Sequence, residues 1–122
     1  VMEALKTSKD TADQKEHPQH AIQDAFKHAA DVPLETARKC IQILDCARII
    51  AEKGNKNSIS DAAVSALMAQ TGVQAAMLNV RINLVSIKDN EYTQKVTTEL
   101  DELLRNAMEN EYAHRSIVNR YS

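Results

Sequence analysis

The stretch MLNVRINLVSIKD, residues 77–89, decides how this chain folds. Read as a helix, it carries Met77, Leu78, Val80, Ile82, Leu84, Val85 and Ile87 around most of its circumference. A helix apolar on nearly all sides is expected to be buried. Asn79, Arg81 and Asn83 interrupt it, and a buried polar group raises the free energy unless something hydrogen-bonds it. Asn79 and Asn83 stand one turn apart on a shared face, whereas Arg81 points to the opposite side. Two readings follow. In one, the asparagines bridge neighbouring helices in a core and Arg81 pairs with a carboxylate across an interface. In the other, they line a cleft for a flat polar heterocycle, whose ring amides need the donors and acceptors that one Asn supplies.

Outward from this stretch, the composition is helical. Aromatics are 3% of the 122 residues, with two Gly and two Pro. That is too few for a sandwich or barrel, with its aromatic strands and Gly/Pro turns. The 43% hydrophobic content is that of a globular chain, and a chain this long buries roughly two-thirds of its unfolded surface in one domain. An all-α fold is expected, an antiparallel multi-helix bundle. Fifteen basic residues against 17 acidic ones leave a net charge of −2, so no general attraction to nucleic acid or anionic membrane is expected. No apolar run approaches a membrane span, and no signal peptide is legible. The opening Val1-Met2 leads us to expect a processed chain or a fragment that begins inside a helix. Cys40 and Cys46 lie six apart on one expected helix, too far along its axis to bridge. Unbridged cysteines fit a reducing compartment, here the cytoplasm, and read as small core hydrophobes.

The punctuation gives the elements. Residues 1–7 read as the tail of a helix, Lys9-Asp10-Thr11 as a turn, and Thr11 with Gln14 as a capping box. Pro18 is expected to open a short helix to about residue 30, with Ile22, Ala25, Phe26 and Ala29 as its apolar face. Pro33 opens the next, carrying Leu34, Ala37, Cys40, Ile41, Leu44, Ala47, Ile50 and Ala51, and Gly54 closes it after Lys53. Ser58 or Ser60 caps a long helix to about residue 87, placing Asp61 in its first turn, where the dipole favours a carboxylate. Asp89 or Asn90 caps the last helix, whose stripe is Tyr92, Val96, Leu100, Leu103, Ala107 and Met108. Past Glu111 the face turns polar and fraying is expected.

Most catalytic chemistries lack their residues. Glu111 and His114 have the spacing of a di-iron ligand pair, but the second such pair is missing. His17 and His20 flank Pro18 without a third ligand, so no metal is expected. No serine lies in a nucleophile elbow, neither cysteine has a base beside it, and Gly54 and Gly72 are isolated, which excludes a phosphate loop. The run from Gly54 to Asp61 remains: a helix cap, or an anion site with Asp61 as a general acid or base.

Three longer segments carry a resemblance. They are Val32-Pro33-Leu34-Glu35-Thr36-Ala37, then Glu52 to Asp61 (EKGNKNSISD), then Leu78 to Leu84 (LNVRINL) with Ile87-Lys88-Asp89. In this order and spacing the chain resembles the formiminotransferase-cyclodeaminase C-terminal domain family, which includes formiminotetrahydrofolate cyclodeaminase and methenyltetrahydrofolate cyclohydrolase of the serine-cycle type. The opening Val1 to Lys6 and Lys9-Asp10-Thr11 look like the family's upstream segment. Thr7-Ser8 stands where a Leu-Pro is typical, and Pro18 where members are usually helical. The family's N-terminal portion, with a Pro-Gly-Gly-Gly-Ser-like stretch and a helix ending in an aspartate proposed to be catalytic, is expected before Val1. Residues 1–122 would then be the C-terminal portion of the helical domain.

The resemblance implies a homodimeric enzyme domain in folate one-carbon metabolism, with a tetrahydrofolate derivative as substrate and no metal or redox cofactor. Cyclodeamination closes a ring and releases ammonia, whereas the cyclohydrolase reaction adds water and opens one. Both pass a tetrahedral carbon and move protons. Asp61 is the catalytic candidate, and Lys9, Ser60, Asn79, Arg81 and Asn83 are the substrate-binding candidates, a basic group suiting the glutamate tail. The opposing expectation is a non-catalytic helical interaction module, in which the polar helix residues only fix register.

Overall fold

The computed structural model describes residues 12–120 as three α-helices: α1 (Ala12–Lys53), α2 (Lys56–Leu84) and α3 (Asn90–Asn119). No strand occurs among the described residues, and none of their helices is long and apolar enough to cross a membrane. The expectations for residues 1–7, for Lys9 and for Thr11 with its capping box lie outside the described residues.

Each helix buries a stripe with alternating steps of three and four residues. On α1 it runs Ala30, Leu34, Ala37, Ile41, Leu44; on α2 Ile59, Ala62, Ala66, Ala69, Val73, Ala76, Val80; on α3 Val96, Leu100, Ala107 and Ile117, with half-buried Leu103 between. This spacing averages 3.5 residues per turn and seats side chains of one helix between those of the next. Many of the α1 and α2 positions are alanine, which lets these two helices lie close. Gly72 marks a close approach: a Cβ there would stand 2.7 Å from Cys40 Sγ.

The first correction concerns the prolines. Neither opens a helix; Pro18 and Pro33 both lie inside α1. A proline within a helix lacks the N–H that would bond the carbonyl four residues back, and costs about 3 kcal/mol. For Pro33 that carbonyl belongs to Ala29, and Asn83 of α2 supplies the missing donor, its Nδ2 reaching Ala29 O at 3.3 Å. The helix continues because its neighbour repairs it. For Pro18 the structure shows a buried ring.

The second correction concerns the start of α2. Asn55 caps it, accepting from Ser58 N at 3.0 Å and Ser58 Oγ at 3.2 Å. Gly54 ends α1 through its N–H to Ile50 O (2.6 Å), where a Cβ would collide with that same oxygen. The cap therefore follows Gly54 at once, earlier than Ser58 or Ser60, and the first turn of α2 holds no acidic residue. Asp61 lies one turn further in, beyond the strong part of the helix dipole. At its other end α2 stops at Leu84, not 87.

Asp89 caps α3 as one of the two expected residues, accepting from Tyr92 N at 3.0 Å. The third correction is at the far end. Instead of fraying past Glu111, α3 runs on to Asn119 with Asn110, His114 and Ile117 buried, while Met108 is exposed. Those three residues continue the three-and-four register of Val96, Leu100, Leu103 and Ala107, so polar side chains occupy core positions.

The turn between α2 and α3 is held from α1. Gln23 donates through Nε2 to Ser86 O (3.1 Å) and accepts at Oε1 from Lys88 N (2.8 Å). Lys27 pairs with Asp89 at 2.9 Å, and that hydrogen bond holds the Asp89 carboxyl below the usual carboxylate range. Further along, Arg38 of α1 grips Glu99 of α3 through Nε and Nη2 and also reaches Glu35. The same contact lowers Glu99. Such forked pairs fix orientation as well as adding energy.

Candidate functional site

The repair of Pro33 shapes a groove. Asn83 spends its amide hydrogens on Ala29 O and, at 2.8 Å, on Asn79 O, which leaves Oδ1 without a hydrogen-bond partner among the described residues. Around it, Ala29, Val32, Pro33, Thr36, Asn79 and Asn83 line a shallow, open groove of about 460 Å³ between α1 and α2. Asn83 is half-buried and Asn79 exposed. One turn of α2 carries Asn79 to the open side of the groove. The groove offers Asn79's whole amide and Asn83's carbonyl, a donor and two acceptors beside an apolar proline wall. That set complements a heterocycle carrying both N–H and C=O edges.

Arg81 is exposed and makes no ion pair among the described residues. It lies next to an exposed apolar stripe on α2. Val64, Met68, Thr71, Ala75, Leu78, Ile82 and Val85 again follow steps of four and three, with Leu78 67% and Ile82 68% exposed. The apolar circumference seen in residues 77–89 is therefore split between α1 and α3 on one side and solvent on the other.

Asp61 belongs to a different recess, of about 320 Å³, with Ile43, Cys46, Ile50, Ser58 and Ser65. Ser60 and Asp61 are both exposed. Eighteen residues of helix separate Asp61 from Asn79, roughly 27 Å at 1.5 Å per residue. One copy of the chain does not bring them together. Lys9 lies outside the described residues.

Sequence reading missed the polar groups buried under α3. Asn110 is 2% exposed and donates through Nδ2 to Asp45 Oδ1 of α1 (3.1 Å) and to Asn106 O (3.1 Å). One turn on, His114 is 8% exposed, and neither ring nitrogen has a partner among the described residues; the same holds for Oε1 of Gln70, 9% exposed on α2. Burial pushes the His114 ring below the ordinary histidine value, so it is neutral near pH 7. Glu111, the other half of the metal-like pair, is bonded to Arg115 at 2.8 Å. Among the described residues no group of three or more His, Cys, Asp or Glu is placed to hold a metal ion. The signal that would have found His114 is the unbroken three-and-four spacing through 110, 114 and 117.

Against known proteins, the family model for formiminotransferase-cyclodeaminase matches residues 1–102. The chain is similar to methenyltetrahydrofolate cyclohydrolase of Methylorubrum extorquens, 42% identical over 107 residues, 88% of this chain and 51% of that protein. Formimidoyltransferase-cyclodeaminase of Mus musculus is 32% identical over 106 residues, 87% of this chain and 20% of that protein. That of Dictyostelium discoideum is 36% identical over 89 residues, 73% and 17% respectively. The chain thus spans about half the length of the first of these and a fifth or less of the others.

Proposed function

This chain belongs to the formiminotransferase-cyclodeaminase family, and on that premise we propose that it forms part of an enzyme acting on a tetrahydrofolate, with the groove at Pro33 as the seat of the pterin ring. The observation that carries the proposal is Asn83: the contact with Ala29 O fixes its amide and leaves the carbonyl lining the groove beside Asn79. A pterin presents N–H and C=O edges to such a pair. Arg81, exposed and unpaired among the described residues, is the candidate partner for the glutamate carboxylates.

The reaction proposed first is hydrolysis of methenyltetrahydrofolate, favoured by the higher identity to the cyclohydrolase. Water adds to the methenyl carbon, the ring C–N bond breaks, and a formyl group and one proton result. Cyclodeamination of formiminotetrahydrofolate, with loss of ammonia, is the second reading, supported by the formimidoyltransferase-cyclodeaminases. Neither uses a metal or a redox cofactor in this proposal.

A proton-transfer group must lie within hydrogen-bond reach of the atom it serves, and Asp61 is too far along α2 from the asparagines of its own copy. We propose a homodimer in which two α2 stripes pair antiparallel, setting the Asp61 end of one copy beside the Asn79–Asn83 end of the other. The three-and-four spacing and exposure of Val64 to Val85 support it. Following the absorbance decay of methenyltetrahydrofolate tests the proposal, with this chain and with the full-length protein. Asp61→Asn and Asn83→Ala should each lower turnover about a hundredfold, and mixing the two variants should restore part of it through hybrid dimers. Full activity in a monomeric Ile82→Lys variant would eliminate the shared site, and normal turnover in full-length Asp61→Asn would leave Asp61 a surface residue.

A further inference from the structure

Away from the groove, the three helices enclose a cleft of about 170 Å³ between Leu44, Ala66 and Leu67 on one side and His114 and Val118 on the other. Its walls are apolar, yet two of its lining side chains are His114 and Gln70, each more than nine-tenths buried and each with ring or amide atoms that find no partner among the described residues. Buried polar atoms in folded proteins nearly always have partners, and each exception asks for a water, an ion or a ligand. Glu111 and Arg115 stand at the mouth as an ion pair. They cancel each other's charge, so the entrance favours neither sign.

We propose that this cleft binds a small neutral molecule built on a single aromatic or heteroaromatic ring and bearing one N–H or O–H group, recognised by Gln70 and His114. Size sets the single ring, because a cavity of about 150 Å³ accommodates benzene. The apolar walls and the self-neutralised mouth set the absence of charge. The polar hydrogen follows from the floor: Gln70 Oε1 is an acceptor, and a neutral His114 offers one acceptor and one donor. A ligand carrying that hydrogen supplies the bond that these buried atoms do not find among the described residues. Leu67, Glu111 and Arg115, all exposed side chains, line the cleft. The cleft is lined by residues other than those of the Asn79–Asn83 groove, and its α3 residues lie beyond residue 102, where the family match ends.

Phenol, toluene and benzoate titrated by calorimetry into the full chain and its variants, with the ¹⁵N shifts of the His114 ring as a second readout wherever that ring is present, test this. Phenol should shift the ring saturably and bind about tenfold more tightly than toluene, the worth of one neutral hydrogen bond; benzoate should be weakest. His114→Leu should reduce phenol to the affinity of toluene, and Ala63→Leu, which narrows the cleft, should weaken both. Gln70→Leu carries the same comparison where His114→Leu does not fold. Equal binding of phenol and toluene, preferred binding of benzoate, or no saturable shift with any probe overturns the proposal, the last leaving buried water as the partner of these atoms.

Discussion

Two half-hidden polar sites sit on α2, and they are resolved in opposite ways. Near its C-terminal end, Asn83 meets a carbonyl that Pro33 has left without an N–H, and its bond to Ala29 O serves both helices. Near its middle, Gln70 faces His114 and neither side chain finds a partner among the described residues. The first site is a sequence exception cancelled by another sequence exception fifty residues away. The second has no such cancellation among the described residues. Polar residues at core positions therefore carry different meanings, and the hydrogen-bond inventory separates them.

The largest expected effect breaks the comparison at His114. Replacing it by Leu removes two buried nitrogens without partners among the described residues, so stability should rise by about 1–3 kcal/mol, measured by urea unfolding; a loss of that size would show that the ring is satisfied after all. Acid should expose the same site. Because burial lowers the His114 value, the unfolded chain takes up a proton that the folded chain resists. Its contribution is complete above the ordinary histidine pKa near 6.5 and is lost as pH falls towards the folded value, with a slope of at most about 1.4 kcal/mol per pH unit. Unfolding curves between pH 7 and 5 should steepen in the parent relative to His114→Leu, and parallel curves would sink this reading.

At the other site the sign reverses. Asn83→Leu should cost about 1 kcal/mol by orphaning the Ala29 carbonyl. In a Pro33→Ala background, where residue 33 regains an N–H, most of that loss should vanish. An unchanged loss in the double variant would mean that Asn83 acts through packing alone. The smallest effect is expected from Arg115→Ala: its exposed pair with Glu111 should contribute within about 0.5 kcal/mol. A larger change would make the mouth of the cleft a structural element instead of a gate.

The sequence shows the helical class directly, through its lack of aromatics and its three-and-four apolar spacing, and it shows Asp89 as a cap because the side chain acts locally. Where it misleads, the missing information is long-range. Nothing near Pro33 announces the Asn83 donor that keeps α1 whole. Asn55, Ser58 and Ser60 are all good caps, and only the early stop enforced at Gly54 chooses among them. Asn110 and His114 read as a polar tail because residue type outweighs register by eye, although register was the better guide. Asn79 and Asn83 were legible as a pair, but which of their atoms are already taken is a fact of the neighbouring helix.

Gln23 has a consequence for the order in which the chain assembles. It is synthesised some sixty residues before the turn it grips, with separations of 63 to Ser86 and 65 to Lys88. Contacts that distant are slow to close and are made after local helix formation. The bonds from Gln23 that hold the turn into α3 cannot form until residues 86–88 have been made. Docking of α3 becomes the late step. A chain with Gln23→Leu should form its helices on schedule and then delay at that last closure, with slower appearance of the native tyrosine fluorescence.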